Sequence, residues 1–180
     1  MMRLVVYDLD GTLIDTSQAL ANATEVFVAA QSDPVRAPIA EALFAEAYEA
    51  AMADGVQLML GARELLAHFR NRHQMILTDR PESIAWDVLN AAGIRSEIAA
   101  VMGGDSPHGR KPDPAGLRAL MRAAGVTPEK TLFIGDRDTD VETGRRAGVM
   151  TVHISATESA AELRVPDLRA CRELAQQRGL

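Results

Sequence analysis

Short apolar runs alternate with segments of helical periodicity along most of the chain. Buried strands are predicted by the apolar runs at 3–7, 75–77, 98–102, 131–134 and 149–154. Apolar residues recur with helical spacing at 62–72, 82–92, 114–124 and 138–147. Strands that alternate with helices indicate parallel βαβ units, in which helices cover both faces of one sheet. The pattern therefore predicts an α/β fold built on a parallel sheet.

One long segment interrupts this alternation between the first and second predicted strands, and it exceeds the length of a single crossover. Within it, residues 17–31 and 38–53 have the pattern of two Ala-rich helices. We therefore predict a two-helix insertion at 16–55 and a core made of residues 1–15 and 56–180. The insertion holds six acidic residues and one arginine, so it carries −5 of the net charge of −6.

The composition is that of an ordinary globular protein. Of the 180 residues, 47% are hydrophobic and 24% are charged, which argues against a disordered or fibrous chain. No apolar run approaches the roughly 20 residues of a membrane-spanning helix, and the first residues hold too many charges for a secretory signal. The lone Cys171 excludes an internal disulfide and a cysteine-rich zinc site. We therefore expect a cytoplasmic protein with no membrane partner.

The net charge also bears on partners. Proteins hold phosphate backbones mainly with Lys and Arg, and the sequence has no cluster of these residues. An acidic chain of this kind is a poor nucleic-acid binder, so we expect no nucleic-acid partner.

Polar residues follow three of the predicted strands at their carboxyl ends, which is where open α/β sheets place their sites. Asp8 and Asp10 follow the first strand, Thr78 follows the second, and Asp136 lies just beyond the fourth. Lys111 lies in the loop before the helix at 114–124. The topology thus brings carboxylates, a hydroxyl and an ammonium to one edge of the sheet.

This mixture of groups suits phosphoryl transfer. Mg²⁺ typically takes one or two carboxylates together with waters and substrate phosphate, and Asp8 and Asp136 could supply them. The hydroxyl of Thr78 and the ammonium of Lys111 could bind phosphate oxygens. A carboxylate can attack phosphorus to give an aspartyl-phosphate, and a second acid two residues on could protonate the leaving oxygen. The residues therefore predict phosphoryl transfer assisted by Mg²⁺.

Four motifs resemble those of the haloacid dehalogenase-like hydrolases, the HAD superfamily. They are DLDGTLID at 8–15, LTDRP at 77–81, KPDP at 111–114 and FIGDRDTD at 133–140. A lone DxD would be weak evidence, whereas four ordered motifs, each at a predicted strand end or in the expected loop, are specific. The resemblance is to the phosphoglycolate phosphatase-like branch, whose cap lies between the first and second motifs.

This resemblance implies a Rossmann-like, three-layer parallel sheet with a small two-helix cap inserted after the first strand. It also implies that Asp8 is the nucleophile of an aspartyl-phosphate mechanism. Asp10 would act as general acid and then as general base, with its backbone carbonyl on Mg²⁺. Asp8 and Asp136 would supply carboxylate ligands to that ion. Dehalogenase members of the superfamily lack an acid equivalent to Asp10, so its presence favours phosphate chemistry.

The resemblance further implies that Thr78, Asp79 and Lys111 bind the phosphoryl group, and that Asp140 supports the metal site or Lys111. The branch often has Asn where this chain has Asp79, and the family commonly uses the backbone N–H of that position. A carboxylate aimed at phosphate would weaken binding, so we expect the Asp79 side chain to face elsewhere. The implied cap is shorter than usual, which fits a larger substrate, a site completed by a second subunit, or poor discrimination.

The expected activity is hydrolysis of a small phosphomonoester with Mg²⁺ as cofactor. Two alternatives stay open: a phosphomutase of the same family, and a non-catalytic phosphate- or partner-binding domain of the same fold. The acidic insertion disfavours a polyanionic substrate. Arg80 and His108 are the core candidates for contacts beyond the phosphate. The small insertion is also compatible with a homodimer.

Overall fold

Eight strands lie in the part of the chain that the computed structural model describes, residues 1–53, 55–157 and 161–180. In chain order they are β1 (Leu4–Tyr7), β2 (Ile14–Asp15), β3 (Gln57–Leu58), β4 (His73–Leu77), β5 (Ala100–Met102), β6 (Thr131–Gly135), β7 (Met150–Ile154) and β8 (Leu163–Val165). Six of them form one parallel sheet in the order β5-β4-β1-β6-β7-β8, while β2 pairs with β3. The predicted α/β fold with a parallel sheet is confirmed.

The α-helices of the described residues lie between these strands along the chain, and one follows the last strand. They are α1 (Ser17–Gln31), α2 (Ala40–Ala53), α3 (Ala62–His68), α4 (Glu82–Ala91), α5 (Ala115–Ala124), α6 (Asp138–Ala147) and α7 (Leu168–Arg178). Sequence analysis missed β8 and α7, because β8 has three residues and α7 buries only Leu168, Cys171 and Ala175. Among the described helices, none is both long enough and apolar enough to cross a membrane.

Strand β1 lies at the centre of the sheet, and all four of its residues are fully buried. Leu4 and Val6 belong to a cluster with Leu117 and Leu120 of α5 on one face of the sheet. Because helices cover a parallel sheet on both faces, its strands are apolar throughout instead of alternating. The hydroxyl of Tyr7 is satisfied within the sheet, where it donates to the side chain of Gln74 at 2.8 Å. The central position of β1 gives its carboxyl end two neighbouring strand ends.

Helix α6 ends at Ala147, and Gly148 caps it. Gly148 has φ of 72° and lies in the left-handed region, where its N–H bonds the carbonyl of Arg145. A side chain at this position would be strained, which is why glycine is common just after a helix. This cap ends α6 immediately before β7 and so fixes the path of the chain back into the sheet.

The chain divides into two compact units. One comprises Met1–Ile14 and Leu58–Leu180, and the other comprises Asp15–Gln57. The second unit contains α1 and α2, and its Phe27 and Phe44 rings pack edge to face with centroids 6.2 Å apart. Asp54, one of the acids assigned to the predicted insertion, lies outside the described residues.

Candidate active site

The carboxyl ends of β1, β4 and β6 bring three predicted site residues to one edge of the sheet. Asp8 directly follows β1 and is 2% exposed, Thr78 follows β4 and is buried, and Asp136 follows β6. These strands are adjacent and parallel, with β1 in the middle, so they end side by side. The Asp8 N–H donates to the carbonyl of Ile134 at 2.9 Å and extends the ladder by one residue. Main-chain hydrogen bonding therefore positions Asp8.

Lys111 reaches this edge from the loop before α5. Its Nζ lies 2.8 Å from Asp8 Oδ1 and 2.7 Å from Asp140 Oδ1, and all three side chains are at most 3% exposed. Asp8 Oδ1 also accepts the N–H of Leu9 at 2.7 Å, and Asp140 Oδ2 accepts the N–H of Arg137 at 3.0 Å. One buried ammonium thus serves two buried carboxylates, each held further by a backbone donor.

Asp136 is held by groups from two other segments. The hydroxyl of Thr12 donates to Asp136 Oδ1 at 2.8 Å, and the ring Nε2 of His153 donates to the Asp136 carbonyl at 2.8 Å. Gly11 has φ of 80°, and a Cβ there would overlap the Asp136 carboxylate. Only glycine therefore allows the loop after β1 to approach Asp136 this closely.

Three carboxylates in this site suit a hard cation. Among the described residues, Asp8, Asp136 and Asp140 each offer an oxygen within 4.8 Å of the other two. Both oxygens of Asp140 already accept hydrogen bonds, from Lys111 and from the N–H of Arg137. The hydrogen bonds to Asp8 and Asp136 described above engage Oδ1 of each, which leaves Oδ2 for a cation, so these two acids are the better ligands. Carboxylate oxygens are the donors that Mg²⁺ prefers, and the donor set therefore fits this ion.

Burial and like charge act on these acids. Burial raises the pKa of Asp8 to about 8, the charge of Asp140 adds to this shift, and Lys111 opposes it. Burial also raises the pKa of Asp136, although the hydrogen bond from Thr12 opposes the shift. A bound dication would favour the ionised form of both carboxyl groups, because it offsets their mutual repulsion.

Arg80 makes a bidentate ion pair with Asp10. Its Nε lies 3.0 Å from Asp10 Oδ2 and its Nη2 lies 2.8 Å from Asp10 Oδ1. The Arg80 side chain is 5% exposed and that of Asp10 is 15% exposed, so neither lies on the open surface. Such paired N–H···O bonds fix both distance and orientation. The structure therefore joins the expected general acid/base to a residue that sequence analysis had associated with substrate.

The segment after β4 places its two polar residues differently. Thr78 Oγ1 accepts the N–H of Arg80 at 3.2 Å, which leaves its own proton to be donated to another acceptor. Asp79 Oδ1 accepts the backbone N–H of Lys111 at 3.2 Å. The Asp79 carboxylate is thus engaged by the backbone of the loop that carries Lys111. Asn could accept the same hydrogen bond.

Two further residues near the site were not assigned a role from the sequence. His153 is 4% exposed at the carboxyl half of β7 and bonds Asp136, although its sequence context indicates only a structural or exposed histidine. Burial of Arg137 lowers the pKa of its guanidinium, but the charges of Asp8 and Asp136 outweigh this effect and raise the pKa overall. The Arg137 guanidinium therefore interacts electrostatically with these acids. His153 lies outside the four motifs, whereas Arg137 lies within the motif at 133–140. By contrast, His108 makes no hydrogen bond or ion pair with the site among the residues described.

Comparison with known proteins identifies relatives that span most of the chain. A model of haloacid dehalogenase-like hydrolases matches residues 36–148. A phosphoglycolate phosphatase of Pseudomonas putida is 32% identical over 192 aligned residues, which cover 85% of this chain and 69% of the relative. A phosphoglycolate phosphatase of Rhodospirillum rubrum is 31% identical, with coverage of 86% and 80%.

Solved structures share the architecture. The crystal structure of a predicted phosphoglycolate phosphatase from Haemophilus somnus matches with a TM-score of 0.80 and 18% identity. The match covers 97% of this chain and 98% of the other. At that level of identity the likeness establishes a shared fold.

Proposed function

Because the chain belongs to the haloacid dehalogenase-like hydrolases and is a phosphatase, we propose that it hydrolyses a small phosphomonoester with the help of Mg²⁺. The observation that carries this proposal is the buried Asp8–Lys111–Asp140 triad beside Asp136. It combines a carboxylate nucleophile, a cation for phosphate and oxygen ligands for a metal within one edge of the sheet.

The reaction takes place in two displacements at phosphorus. A carboxylate oxygen of Asp8 attacks the phosphorus, the ester P–O bond breaks, and Asp10 gives its proton to the leaving alcohol oxygen. Asp10 then accepts a proton from water, whose oxygen attacks the phosphorus of the aspartyl-phosphate. The acyl P–O bond breaks, phosphate leaves, and Asp8 is restored as a carboxylate.

Lys111 and Thr78 bind the phosphoryl group in this scheme. The Lys111 ammonium is held beside the attacking carboxylate at 2.8 Å, so it can pair with a phosphoryl oxygen next to Asp8. The Thr78 hydroxyl and the backbone N–H of Asp79 add neutral donors. Donors fixed before the substrate arrives stabilise developing charge without reorganisation.

Asp8 and Asp136 hold the metal through carboxylate oxygens, together with the backbone carbonyl of Asp10. Mg²⁺ bound there supplies positive charge to the phosphoryl oxygens and to the crowded acids. Asp140 supports the site by holding Lys111 at 2.7 Å. It acts through the lysine and is a positioning residue.

Arg80 fixes the position of the Asp10 side chain. Two guanidinium donors, one on each carboxyl oxygen, fix the distance and orientation of the Asp10 side chain. To act as an acid, Asp10 must carry a proton on one oxygen, so one of these donors must first give way. Arg80 is therefore a positioning residue for the acid/base group.

The relatives' names make phosphoglycolate the first substrate to test. The unit at Asp15–Gln57 serves as a small cap that selects the substrate. The proposed location of the protein is the cytoplasm. Within that unit the sequence offers Arg36 as its basic residue against several acids. This charge balance disfavours substrates with many negative groups and suits a small phosphomonoester.

Phosphate release tests the proposal directly. Wild type is assayed on a panel of small phosphomonoesters that includes phosphoglycolate, with Mg²⁺ and with excess chelator, beside Asp8→Asn. Asp87→Asn is the matched control, since Asp87 is an exposed acid on α4. Release that needs Mg²⁺, disappears in Asp8→Asn and persists in Asp87→Asn supports the proposal. Release that survives in Asp8→Asn would contradict the nucleophile, and no release from any ester would contradict the phosphomonoesterase.

A further inference from the structure

A second polar cavity lies at the amino ends of the central strands, at the opposite edge of the sheet from Asp8. Its volume is about 760 Å³. It lies where β1, β4 and β6 begin, beside the turn between α3 and β4. The polar residues that line it are Arg3, Arg70, Asn71, Arg72, His73 and Lys130.

The charge of this cavity is opposite to that of the whole chain. Four of its lining residues are permanently cationic at neutral pH, none is acidic, and the chain as a whole carries −6. Among the described residues, no carboxylate lies within ion-pair distance of these four cations. The acid next in sequence, Glu129, interacts electrostatically with Lys130, but it makes no ion pair with the three arginines. Within the described part of the chain, the three arginines of the cavity therefore have no paired carboxylate.

Backbone hydrogen bonds hold the cations together. The N–H of Arg3 donates to the carbonyl of Lys130 at 2.8 Å, and the N–H of His73 donates to the carbonyl of Arg3 at 3.0 Å. These bonds continue the ladders that join β1 to β6 and to β4. The starting points of three strands thus fix the spacing of basic residues that are far apart in the sequence.

Arg72 has a donor that the protein does not use. Its Nε is buried and has no hydrogen-bond partner among the described residues. Its Nη1 makes only a long contact of 3.4 Å with the carbonyl of Asn71. This weak contact leaves the terminal nitrogens of the Arg72 guanidinium to a ligand that brings acceptor oxygens.

We propose that this cavity binds a compact oligophosphate, a chain of two or more phosphoryl groups. Arginine forks match phosphate oxygens in pairs, and a lysine adds a point charge. The volume lies in the range of small-molecule sites and exceeds what a single phosphate ion needs. A free oligophosphate and the phosphate chain of a nucleotide share this chemistry.

A compact ligand is favoured over a nucleic acid. Four basic residues line this cavity, while the other 15 basic residues of the chain are outnumbered by its 25 acids. A long polyanion would extend beyond the cavity and be repelled by that charge, whereas an oligophosphate would not.

The test is calorimetric titration of metal-free protein with inorganic tripolyphosphate in the presence of chelator. We expect saturable binding by wild type and at least a tenfold loss of affinity in the double variant Arg3→Gln/Arg72→Gln. The charge-matched control is Arg122→Gln/Arg178→Gln, which removes two exposed arginines elsewhere and should change the affinity less than threefold. Circular dichroism establishes that each variant folds, and Lys130→Gln replaces the double variant if that one does not.

Three outcomes would overturn the proposal: no saturable binding, an equal loss in both double variants, or no loss in either. Tripolyphosphate that bound only at the catalytic site would bind Arg3→Gln/Arg72→Gln as tightly as wild type, and this would appear as no loss in either variant. Titration with ATP distinguishes the source of the phosphates: equal affinity supports a free oligophosphate, and tighter binding lost in the same variant supports a nucleotide. A single-stranded oligonucleotide that binds where tripolyphosphate does not would contradict a compact ligand. Since the assay involves no turnover, its failure leaves the proposed phosphatase activity intact.

Discussion

Lys111 Nζ lies 2.8 Å from Asp8 Oδ1, and the two side chains are 1% and 3% exposed. The nucleophile and the phosphate-binding cation of the proposed reaction are therefore a buried ion pair before any substrate arrives. Asp140 Oδ1 lies 2.7 Å from the same nitrogen, so the buried site holds more negative than positive charge. This imbalance has consequences for stability that are separate from catalysis.

Asp8→Asn should make the metal-free protein more stable at pH 8 to 9 while abolishing turnover. Burial, the charge of Asp140 and the opposing Lys111 leave the pKa of Asp8 at about 8, above its ordinary value of 3.8. An acid whose pKa is raised by folding contributes stability below its unfolded pKa, and that stability is lost as the pH rises through the folded pKa. Asn does not ionise and avoids this loss.

Thermal unfolding in chelator at pH 4, 7 and 9 measures the effect. The melting temperature of Asp8→Asn should exceed that of wild type by about 2 °C or more at pH 9, with little difference at pH 4. Added Mg²⁺ should narrow the gap at pH 9 by stabilising the wild-type carboxylate. A variant that is less stable than wild type at pH 9 in chelator would show that the ion pair with Lys111 stabilises the ionised Asp8 more than burial destabilises it.

Lys111→Ala should lose both activity and stability. Removing one partner of a buried ion pair leaves two carboxylates, Asp8 and Asp140, without their cation, and such losses cost about 3–5 kcal/mol. Denaturant unfolding at pH 9 and at pH 5 measures this, and the deficit should shrink at pH 5, where Asp8, with a pKa of about 8, is protonated in both proteins. Arg122→Ala is the control, since it removes an exposed cation away from the site. Unchanged kinetics in Lys111→Ala would remove this residue from the site.

Asp79→Asn should retain kcat/KM within about threefold of wild type. The Asp79 carboxylate accepts the Lys111 N–H at 3.2 Å, and an amide oxygen can accept the same bond. Asp79→Ala lacks the acceptor and should lose about 1 kcal/mol of stability. Steady-state kinetics and denaturant unfolding of the two variants side by side distinguish a positioning role from direct phosphate binding. A large kinetic loss in Asp79→Asn would show that the carboxylate itself takes part.

Arg80→Gln should lower kcat by roughly 10- to 100-fold with a smaller effect on KM. Without the fork, Asp10 keeps its chemistry but loses its fixed orientation, and small misplacements of a catalytic group are costly. Arg80→Lys should restore little, because an ammonium cannot make the two parallel bonds. Arg110→Gln, an exposed arginine on the loop before Lys111, is the control. If KM rises while kcat is unchanged, Arg80 binds substrate instead of positioning Asp10.

The main features of the core could be predicted from the chain alone. Short apolar runs in the sequence predicted strands β1, β4, β5, β6 and β7, because strands covered on both faces are apolar throughout. The rule that parallel strands present their carboxyl ends at one edge then brought Asp8, Thr78 and Asp136 together. Gly148 marked the end of α6, since a local backbone conformation there needs no tertiary information.

Contacts between side chains from distant segments could not be predicted in this way. Arg80 and Asp10 lie 70 positions apart, and nothing in either motif shows that their side chains meet. The direction of the Asp79 carboxylate toward the Lys111 N–H depends on how the loop before α5 folds over the end of β4. His153 bonds Asp136 only because β7 lies beside β6. The hydrophobic periodicity of a sequence does not reveal the order of the strands in a sheet.

The sequence by itself determined the fold class, the family and the identity of the acids and the lysine at the sheet edge, because these follow from local period and from motifs. Tertiary structure alone decided which charges share a partner, since that depends on strand order and on where each loop returns. It placed one ammonium between two buried carboxylates at one edge of the sheet. At the other edge it gathered Arg3, Arg72 and Lys130 from three segments into one cavity, although the chain as a whole is acidic.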